Sequence, residues 1–246
     1  MLKEKQYFPT VHGNFYFPPD GTLGNDSVAQ AMIAGNLFEP AIIDFCAKYI
    51  TSGSTVIDAG ANWGQMTVAF SRLVGETGYV HSIEPSTLVL EYLRATLEAN
   101  PECKNVTLHP NAGWHTSGED LNMLIPYASV AYSGAGIRGA KDPRDNPTHP
   151  VKSLAIDDIE FKSPVSVIKI DAQGSDFFIL KGAKKTLEKY QPVVVLEYEP
   201  DYEPWFDMKR QDLIDFLESV NYTEIGSVEN NNHDLIFWPK DKWIKK

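Results

Sequence analysis

The stretch Thr55-Val-Ile-Asp-Ala-Gly-Ala-Asn-Trp-Gly-Gln-Met-Thr67 sets the architecture of this chain. A β-branched run, Val56 and Ile57, ends in an acid, Asp58. Glycines follow at positions 60 and 64, and an amphipathic segment starts directly after them. Such a pattern makes a strand, a tight turn and a helix start. Gly60 and Gly64 omit the side chains that would hold backbone N–H groups away from a ligand.

Working outward, Met66, Val68, Ala69, Phe70 and Leu73 predict a crossover helix that Gly75 and Gly78 end. Residues 79–84 predict a second strand ending in Glu84. Pro85-Ser86 follows, then a helix with Leu90, Leu93 and Leu97 that stops at Asn100-Pro101. Residues 106–109 predict a third strand running into Asn111, Ala112 and Trp114. Residues 165–171 predict a fourth, and Asp171-Ala-Gln-Gly174 turns from it into one helix carrying Phe177, Leu180, Ala183 and Leu187. Residues 192–198 form the most apolar strand, expected at the centre of the sheet. Leu213, Ile214, Phe216, Leu217 and Val220 mark a late helix. Residues 222–228 and 234–238 then close the fold as an antiparallel pair around Asn230-Asn-Asn232. Alternating strands and helices predict an α/β fold, a parallel sheet with helices on both faces.

Upstream, Pro40 suits a first helical position, and Ile42, Phe45, Cys46, Tyr49 and Ile50 form one buried stripe. That helix should cover the sheet ahead of the first strand. Phe15-Tyr16-Phe17, the turn at Asp20-Gly21 and Thr22-Leu23 read as a hairpin-like lead-in. Residues 1–37 are therefore expected as an N-terminal extension and 38–246 as the main domain. Residues 115–150 break the rhythm with Gly118, Gly134, Gly136 and Gly139, then Pro143, Pro147 and Pro150. Their apolar alternations are short (Leu121, Met123, Ile125; Val130, Tyr132), which reads as an insertion of short strands and loops on the substrate side.

Composition narrows the partners. The chain has 246 residues, 43% of them hydrophobic, and a formal net charge of −11 from 33 acids against 22 bases. Basic residues cluster only at Lys184-Lys185 and at Lys240, Lys242, Lys245 and Lys246. Nucleic acid binding, which rests on phosphate neutralisation, is disfavoured. Cys46 and Cys103 make neither a disulfide framework nor a metal-ligand spacing, and suit a reducing compartment. The first residues hold no apolar core of signal-peptide length, and no apolar run approaches the ~20 residues of a membrane span. A cytoplasmic protein with no membrane partner is expected, and the sequons at Asn25, Asn105 and Asn221 read as chance matches.

Two ligands compete for the glycine turn. A dinucleotide needs G-x-G-x-x-G, whereas Gly60 and Gly64 stand four apart, so the pyrophosphate cradle is incomplete. Glu84 follows Gly64 by 20 residues at a strand end, where a carboxylate can accept from both hydroxyls of an adenosine ribose. The nucleoside reading is favoured, although Glu84 alone does not separate the two.

The blocks Val56-Ile-Asp-Ala-Gly-Ala-Asn-Trp-Gly64 and Ile83-Glu-Pro-Ser86 resemble the S-adenosylmethionine-binding turns of Rossmann-like methyltransferases. Further blocks are Leu154-Ala-Ile-Asp-Asp-Ile159, Val167-Ile-Lys-Ile-Asp-Ala-Gln-Gly-Ser-Asp176, Leu180-Lys-Gly-Ala183 and Val193-Val-Val-Leu-Glu197. In this order they resemble the FkbM-like methyltransferases, O-methyltransferases acting on hydroxyls of sugars and natural products. The resemblance spans roughly residues 38–240. It implies a Rossmann-like fold with a mostly parallel seven-stranded sheet and an antiparallel closing strand. It further implies S-adenosylmethionine as cofactor and S-adenosylhomocysteine as product. Asp58, Gly60, Ala61, Asn62 and Gly64 would surround the methionine part. Glu84 would hold the ribose, Pro85 and Ser86 would lie beside the adenine, and Asn111 and Ala112 would border it from the other side. Asp171 would face the transferred methyl. Where the family usually has glutamates, this chain has Gln173 and Asp176, which puts a metal or proton role at 173 in doubt.

Hydroxyl methylation needs an acceptor for the hydroxyl proton. Asp171 is the leading candidate, and it could instead, or also, cap the helix after it. His233, in the closing hairpin, is the second candidate against an exposed turn histidine. His115 and His149 border the insertion, whereas His81 and His109 fall inside strands, where packing is the default. A divalent ion between Asp171 and Glu197 or Glu199 is the metal-assisted variant. Trp114 is the favoured stacking residue ahead of Trp63 and Tyr132, and Arg138 could meet an anionic group or remain a solvated charge. The expected activity is methyl transfer to a hydroxyl of a sugar or glycan. A polyketide-type acceptor and a non-catalytic cofactor-binding subunit are the alternatives.

Overall fold

The computed structural model describes residues 4–243 apart from 20–22, 24, 126–130 and 231–232. The chain opens with a hairpin of β1 (Gln6–Thr10) and β2 (Gly13–Phe17), then α1 (Ser27–Ile33) and α2 (Pro40–Ala47). Next come β3 (Thr55–Ala59), α3 (Gln65–Val74), β4 (Tyr79–Ile83), α4 (Leu90–Ala99) and β5 (Val106–His109). β6 (Ala112–Gly113) leads into the insertion, which contributes β7 (Asp120–Leu124) and the start of β8 (Thr148–Leu154). After it run β9 (Val165–Ile170), α5 (Asp176–Lys181), α6 (Lys184–Tyr190) and β10 (Val193–Glu197). The last part comprises α7 (Glu203–Phe206), α8 (Arg210–Ser219), β11 (Tyr222–Ser227), β12 (Asp234–Pro239) and α9 (Lys240–Trp243).

Seven strands form the main sheet in the order β11-β12-β10-β9-β3-β4-β5. The five from β10 to β5 are parallel, and β12 runs antiparallel to both its neighbours. Helices cover both faces, as the alternation predicts. On one, Phe177, Leu180, Leu187, Leu213 and Leu217 from α5, α6 and α8 pack against Ile57, Ile168 and Val194. On the other, Ile42 and Cys46 of α2 and Phe70 and Val74 of α3 pack against Val56, Val80, Val167 and Val195. Each such fully buried side chain contributes about 1.5–3 kcal/mol by leaving water. Cys46 is core, as its place on the stripe predicts.

Four details depart from the sequence reading. The middle of the seven strands is β9, with the more apolar β10 beside it. Residues 15–17 pair backwards with 6–8, and the turn expected at Asp20-Gly21 lies, with Thr22, outside the described residues. Thr10 Oγ1 donates to the Gly13 carbonyl (2.9 Å) and fixes the observed turn. The helix expected across 177–187 breaks between α5 and α6, because Gly182 backs onto the Trp114 carbonyl. A Cβ at Gly182 would sit 2.1 Å from that oxygen. Finally, the insertion's short strands join Ala112-Gly113 in a three-stranded sheet that extends to Leu154; Val130 is outside the described residues. No helix among the described residues is long and apolar enough to cross a membrane.

Strand register brings three loop starts together. Ala59 pairs with Ile83 on one side and Ile170 on the other, so Gly60, Glu84 and Asp171 leave the sheet side by side. From β3 the chain winds outward through β4 to β5, then returns to β9 on the other side of β3. Ligands of open α/β sheets bind at such a reversal of strand order.

Candidate active site

A cavity of about 270 Å³ opens over these strand ends. Its floor is the glycine turn. Gly60 has φ +83°, and a Cβ there would lie 1.7 Å from the Asp171 carbonyl oxygen. The turn and the end of β9 therefore touch backbone to backbone, a contact only glycine permits. Gly60 and Ala61 donate their N–H groups to the Ile83 carbonyl (2.9 and 3.1 Å), and Asp171 N–H to that of Ala59 (3.0 Å). Asn62 is left-handed at φ +48°. Asp58 lies behind the turn, fully buried, accepting from Thr67 Oγ1 at 2.5 Å with Lys169 Nζ 3.8 Å away.

Glu84 ties the turn to the end of β4. Its Oε2 accepts from Asn62 N–H (2.8 Å) and its Oε1 from Ser86 N–H (2.7 Å). Each carboxylate oxygen keeps a second acceptor direction. Burial pushes this carboxyl up to about 7, against the pull of the two N–H donors.

Beyond the turn lies a charged cluster. Lys169, 3% exposed, donates to Asp171 Oδ2 at 3.2 Å. Gln173 Nε2 donates to Asp171 Oδ1 (3.2 Å) and Glu197 Oε2 (3.0 Å), while its Oε1 accepts from the Tyr202 hydroxyl (3.0 Å). Burial favours a neutral Asp171, but Lys169, Glu197 and Gln173 outweigh it and hold the carboxyl below its usual range. Burial, Asp171 and Asp176 raise Glu197 well above its range, and its hydrogen bond with Asp171 adds to the rise. A glutamate at 173 would crowd a third carboxyl onto this pair; the glutamine amide bridges both. Asp171 does not cap the following helix, which has Ser175 at its N-cap and no side-chain cap; Asp176 instead ties down the turn before the helix, its oxygens accepting from Ala172 N–H (2.7 Å) and Gly174 N–H (2.8 Å). Asp171 is left facing the cavity.

The roof comes from distant sequence. Ser27, Val28 and Met32 of α1, the pair Phe38-Glu39, and residues 132–137 of the insertion line it. Gln65 clamps the pair: Phe38 N–H donates to its Oε1 (2.7 Å), and its Nε2 donates to the Phe38 carbonyl (2.6 Å). Buried Asp26 joins α1 to the insertion. Its Oδ1 accepts from Ala29 N–H (2.9 Å) and its Oδ2 from Ser133 N–H (2.8 Å).

Of the residues singled out in the sequence, Gly60, Ala61, Asn62, Glu84, Pro85, Ala112 and Asp171 line the cavity, as do Trp63 and Tyr132. Asp58, Gly64 and Ser86 stand behind that lining. A Cβ on Gly64 would meet Leu93 at 2.6 Å, and Ser86 is 1% exposed. Trp114 turns away to stack on Phe178 (4.3 Å between centroids), and Asn111 Nδ2 donates to the Lys152 carbonyl (3.2 Å). His233 is off the cavity because Glu199 takes its ring (Nδ1 to Oε1, 3.0 Å) at an exposed turn. The turn partners Asn231 and Asn232 are outside the described residues. His81 and His109 stack on each other, His149 approaches Thr87, and His115 lies against Trp114. Arg138 donates to the carbonyls of Asn146 and Arg144, holding the insertion together. The sequence reading did not single out Lys169, Gln65, Asp26 and Glu39. A lysine inside an otherwise apolar strand was the available signal for the first.

The methyltransferase FkbM domain model matches residues 58–224, more than half of the chain. The chain belongs to the FkbM methyltransferase family. The FkbM methyltransferase of Methylobacillus flagellatus KT is 18% identical, with 76% of this chain covering 44% of that one at a TM-score of 0.49. A proposed rRNA methylase of Clostridium thermocellum is 15% identical, covering 80% and 91% at 0.52. A Bacillus cereus O-methyltransferase solved with S-adenosylhomocysteine is 15% identical, covering 90% and 90% at 0.48. The chain thus spans less than half of the M. flagellatus protein's length. No curated protein matches the sequence.

The family's cofactor is S-adenosylmethionine, and the floor fits it. Asn62 Oδ1 is buried with no hydrogen-bond partner beside the cavity, an acceptor awaiting a donor. Gly60 leaves its backbone bare, and Glu84 presents a fixed carboxylate to hydroxyls. Asn62 and the 60–61 backbone would hold the amino-acid end, and Glu84 the ribose.

Proposed function

We propose that this FkbM-family protein is an O-methyltransferase whose acceptor is a hydroxyl of a sugar or glycan, working in the cytoplasm and not on nucleic acid. The observation that carries the reading is Asp171, an ionised carboxylate at the floor of the cavity, gripped by Lys169 and Gln173. When bound, S-adenosylmethionine supplies a methyl group on a positively charged sulfur. Asp171 accepts a hydrogen bond from the acceptor hydroxyl, orients its oxygen and takes its proton. Lys169 keeps the carboxylate charged until then. Fixing the reacting oxygen is worth on the order of 7–11 kcal/mol, and the proton acceptor roughly 10²–10⁴-fold.

The net charge is −11, and among the described residues one cation lines the cavity, itself paired; both support a neutral or cationic acceptor over a phosphate backbone. Incubation with labelled cofactor and a panel of glycans, followed by locating the label by NMR, tests the reading. Methyl on oxygen is expected; methyl on carbon or nitrogen, or transfer to RNA alone, overturns it.

A further inference from the structure

Four carboxyl groups, Glu39, Glu84, Asp171 and Glu197, line the cavity against one cation, Lys169, among the described residues. Three have partners. Glu84 holds two backbone N–H groups, Asp171 holds Lys169 and Gln173, and Glu197 is bonded to Gln173 and Asp171. No hydrogen bond or ion pair of the described residues reaches the Glu39 carboxylate. Its place is nonetheless built. Gln65 fastens the preceding residue through both backbone groups. Glu39 itself is left-handed at φ +49°, directly before Pro40. A residue before proline is normally extended, so the surrounding packing holds this strain.

Glu39 lines the same cavity as Lys169, Asp171 and Glu197. Burial raises its carboxyl to about 7, Asp171 and Asp234 add to the rise, and Lys169 opposes it. Lys169 is already shared between Asp171 at 3.2 Å and Asp58 at 3.8 Å. A negative Glu39 therefore lacks a counter-charge until one enters with a ligand. Glu39 precedes the stretch that the family match covers, residues 58–224.

We propose that Glu39 selects the acceptor by pairing with an ammonium group next to the reacting hydroxyl, which makes the substrate an amino alcohol of the amino-sugar class. This rests on the O-methyltransferase reading above. The pair is charge-assisted and formed out of bulk water, where it exceeds a neutral hydrogen bond roughly twofold in strength. An acetylated nitrogen has no charge to offer, and a uronic acid would be repelled.

Calorimetry on the full chain saturated with S-adenosylhomocysteine tests this with pairs of amino sugars, each as free amine and as N-acetyl derivative. At least one free amine is expected to bind about tenfold or more tighter than its acetylated twin, and E39Q to bring the two within about twofold. The proposal is overturned if no pair shows the preference, if E39Q keeps it, or if E39Q weakens S-adenosylmethionine instead, which would make the sulfonium the partner of Glu39. Melting temperature confirms that E39Q is folded. Turnover separates the two readings: label found on nitrogen removes the O-methyltransferase reading, while the binding preference stands or falls by itself.

Discussion

The floor and the roof of the cavity are built by opposite means. The floor is three strand ends brought together by register, and its parts lock one another. Gly60 rests on the Asp171 carbonyl, Glu84 holds Asn62, and Gln173 spans Asp171 and Glu197. The roof consists of a seven-residue helix, the Phe38-Glu39 pair and a loop from the insertion, joined through Asp26 and Gln65. Helices this short are not stable alone. On the proposed reading, the cofactor side is therefore a consequence of the sheet, while the acceptor side is attached to it.

If that contrast is right, the most damaging change is the smallest one on the floor. Gly60→Ala places a methyl 1.7 Å from a backbone oxygen and strains φ +83°. Since neither strand end can move without its neighbours, cofactor affinity should fall about 100-fold or more, roughly 3 kcal/mol, with a lower melting temperature. Calorimetry with S-adenosylhomocysteine decides; near-normal affinity would mean that the floor yields as readily as the roof. Asp171→Asn should lower kcat by roughly 10²–10⁴ and leave product affinity within about threefold, by single-turnover kinetics and calorimetry. Unchanged kcat would move the proton acceptor elsewhere.

The same contrast explains what could be read from sequence. Floor residues sit beside strands whose composition announces them: an apolar run, then Asp58 and Gly60, or Ile83 then Glu84. Their function is local, so their spacing carries it. Lys169 hid in such a strand because Asp58 meets it only after β3 and β9 pair, although Asp171 stands two residues on. Asp26 and Ser133 lie 107 positions apart, and nothing near either points to the other. Trp114 misled for the converse reason. It follows the adenine-side residues in sequence, yet Phe178 and Gly182, far along the chain, offer it a stacking face and a groove. Of the block at 171–176, the sequence raised a capping role for Asp171 but not that Asp176, five residues on, ties down the turn between them.

A milder floor change tests charge, not shape. Glu84→Gln keeps one acceptor oxygen and loses the charge. At about 1.5–3 kcal/mol for hydrogen bonds to a charged group, cofactor affinity should drop roughly 10–100-fold. Its pH signature comes from the raised carboxyl. Between 4.5 and about 7 the folded chain keeps a proton that the unfolded chain has released. Wild type therefore loses stability as pH rises through that window and is level above it. The melting temperature of wild type minus that of Glu84→Gln should fall from pH 4.5 to 7; a flat difference would mean that Glu84 ionises normally in the fold.

The smallest effect should come from the roof, and Asp26 allows it to be divided. Asp26→Ala removes the N-cap of α1, about 1 kcal/mol, and the bond to Ser133. A loss of about 2–4 °C per kcal/mol is expected for a chain of this size. Asp26→Asn has one oxygen where aspartate has two. It can still accept from Ala29 N–H, but it then turns an NH₂ toward the Ser133 N–H, two donors facing each other. The cap survives while the clasp is lost. If the roof serves the acceptor, Asp26→Asn should raise the acceptor KM several-fold with kcat at saturation and cofactor affinity near wild type. A variant that instead loses cofactor affinity as steeply as Glu84→Gln would show that floor and roof bind as one unit. The acceptor side would then be fixed by the sheet as firmly as the cofactor side, and the segments before residue 58, ahead of the family match, would be part of the same cofactor cradle.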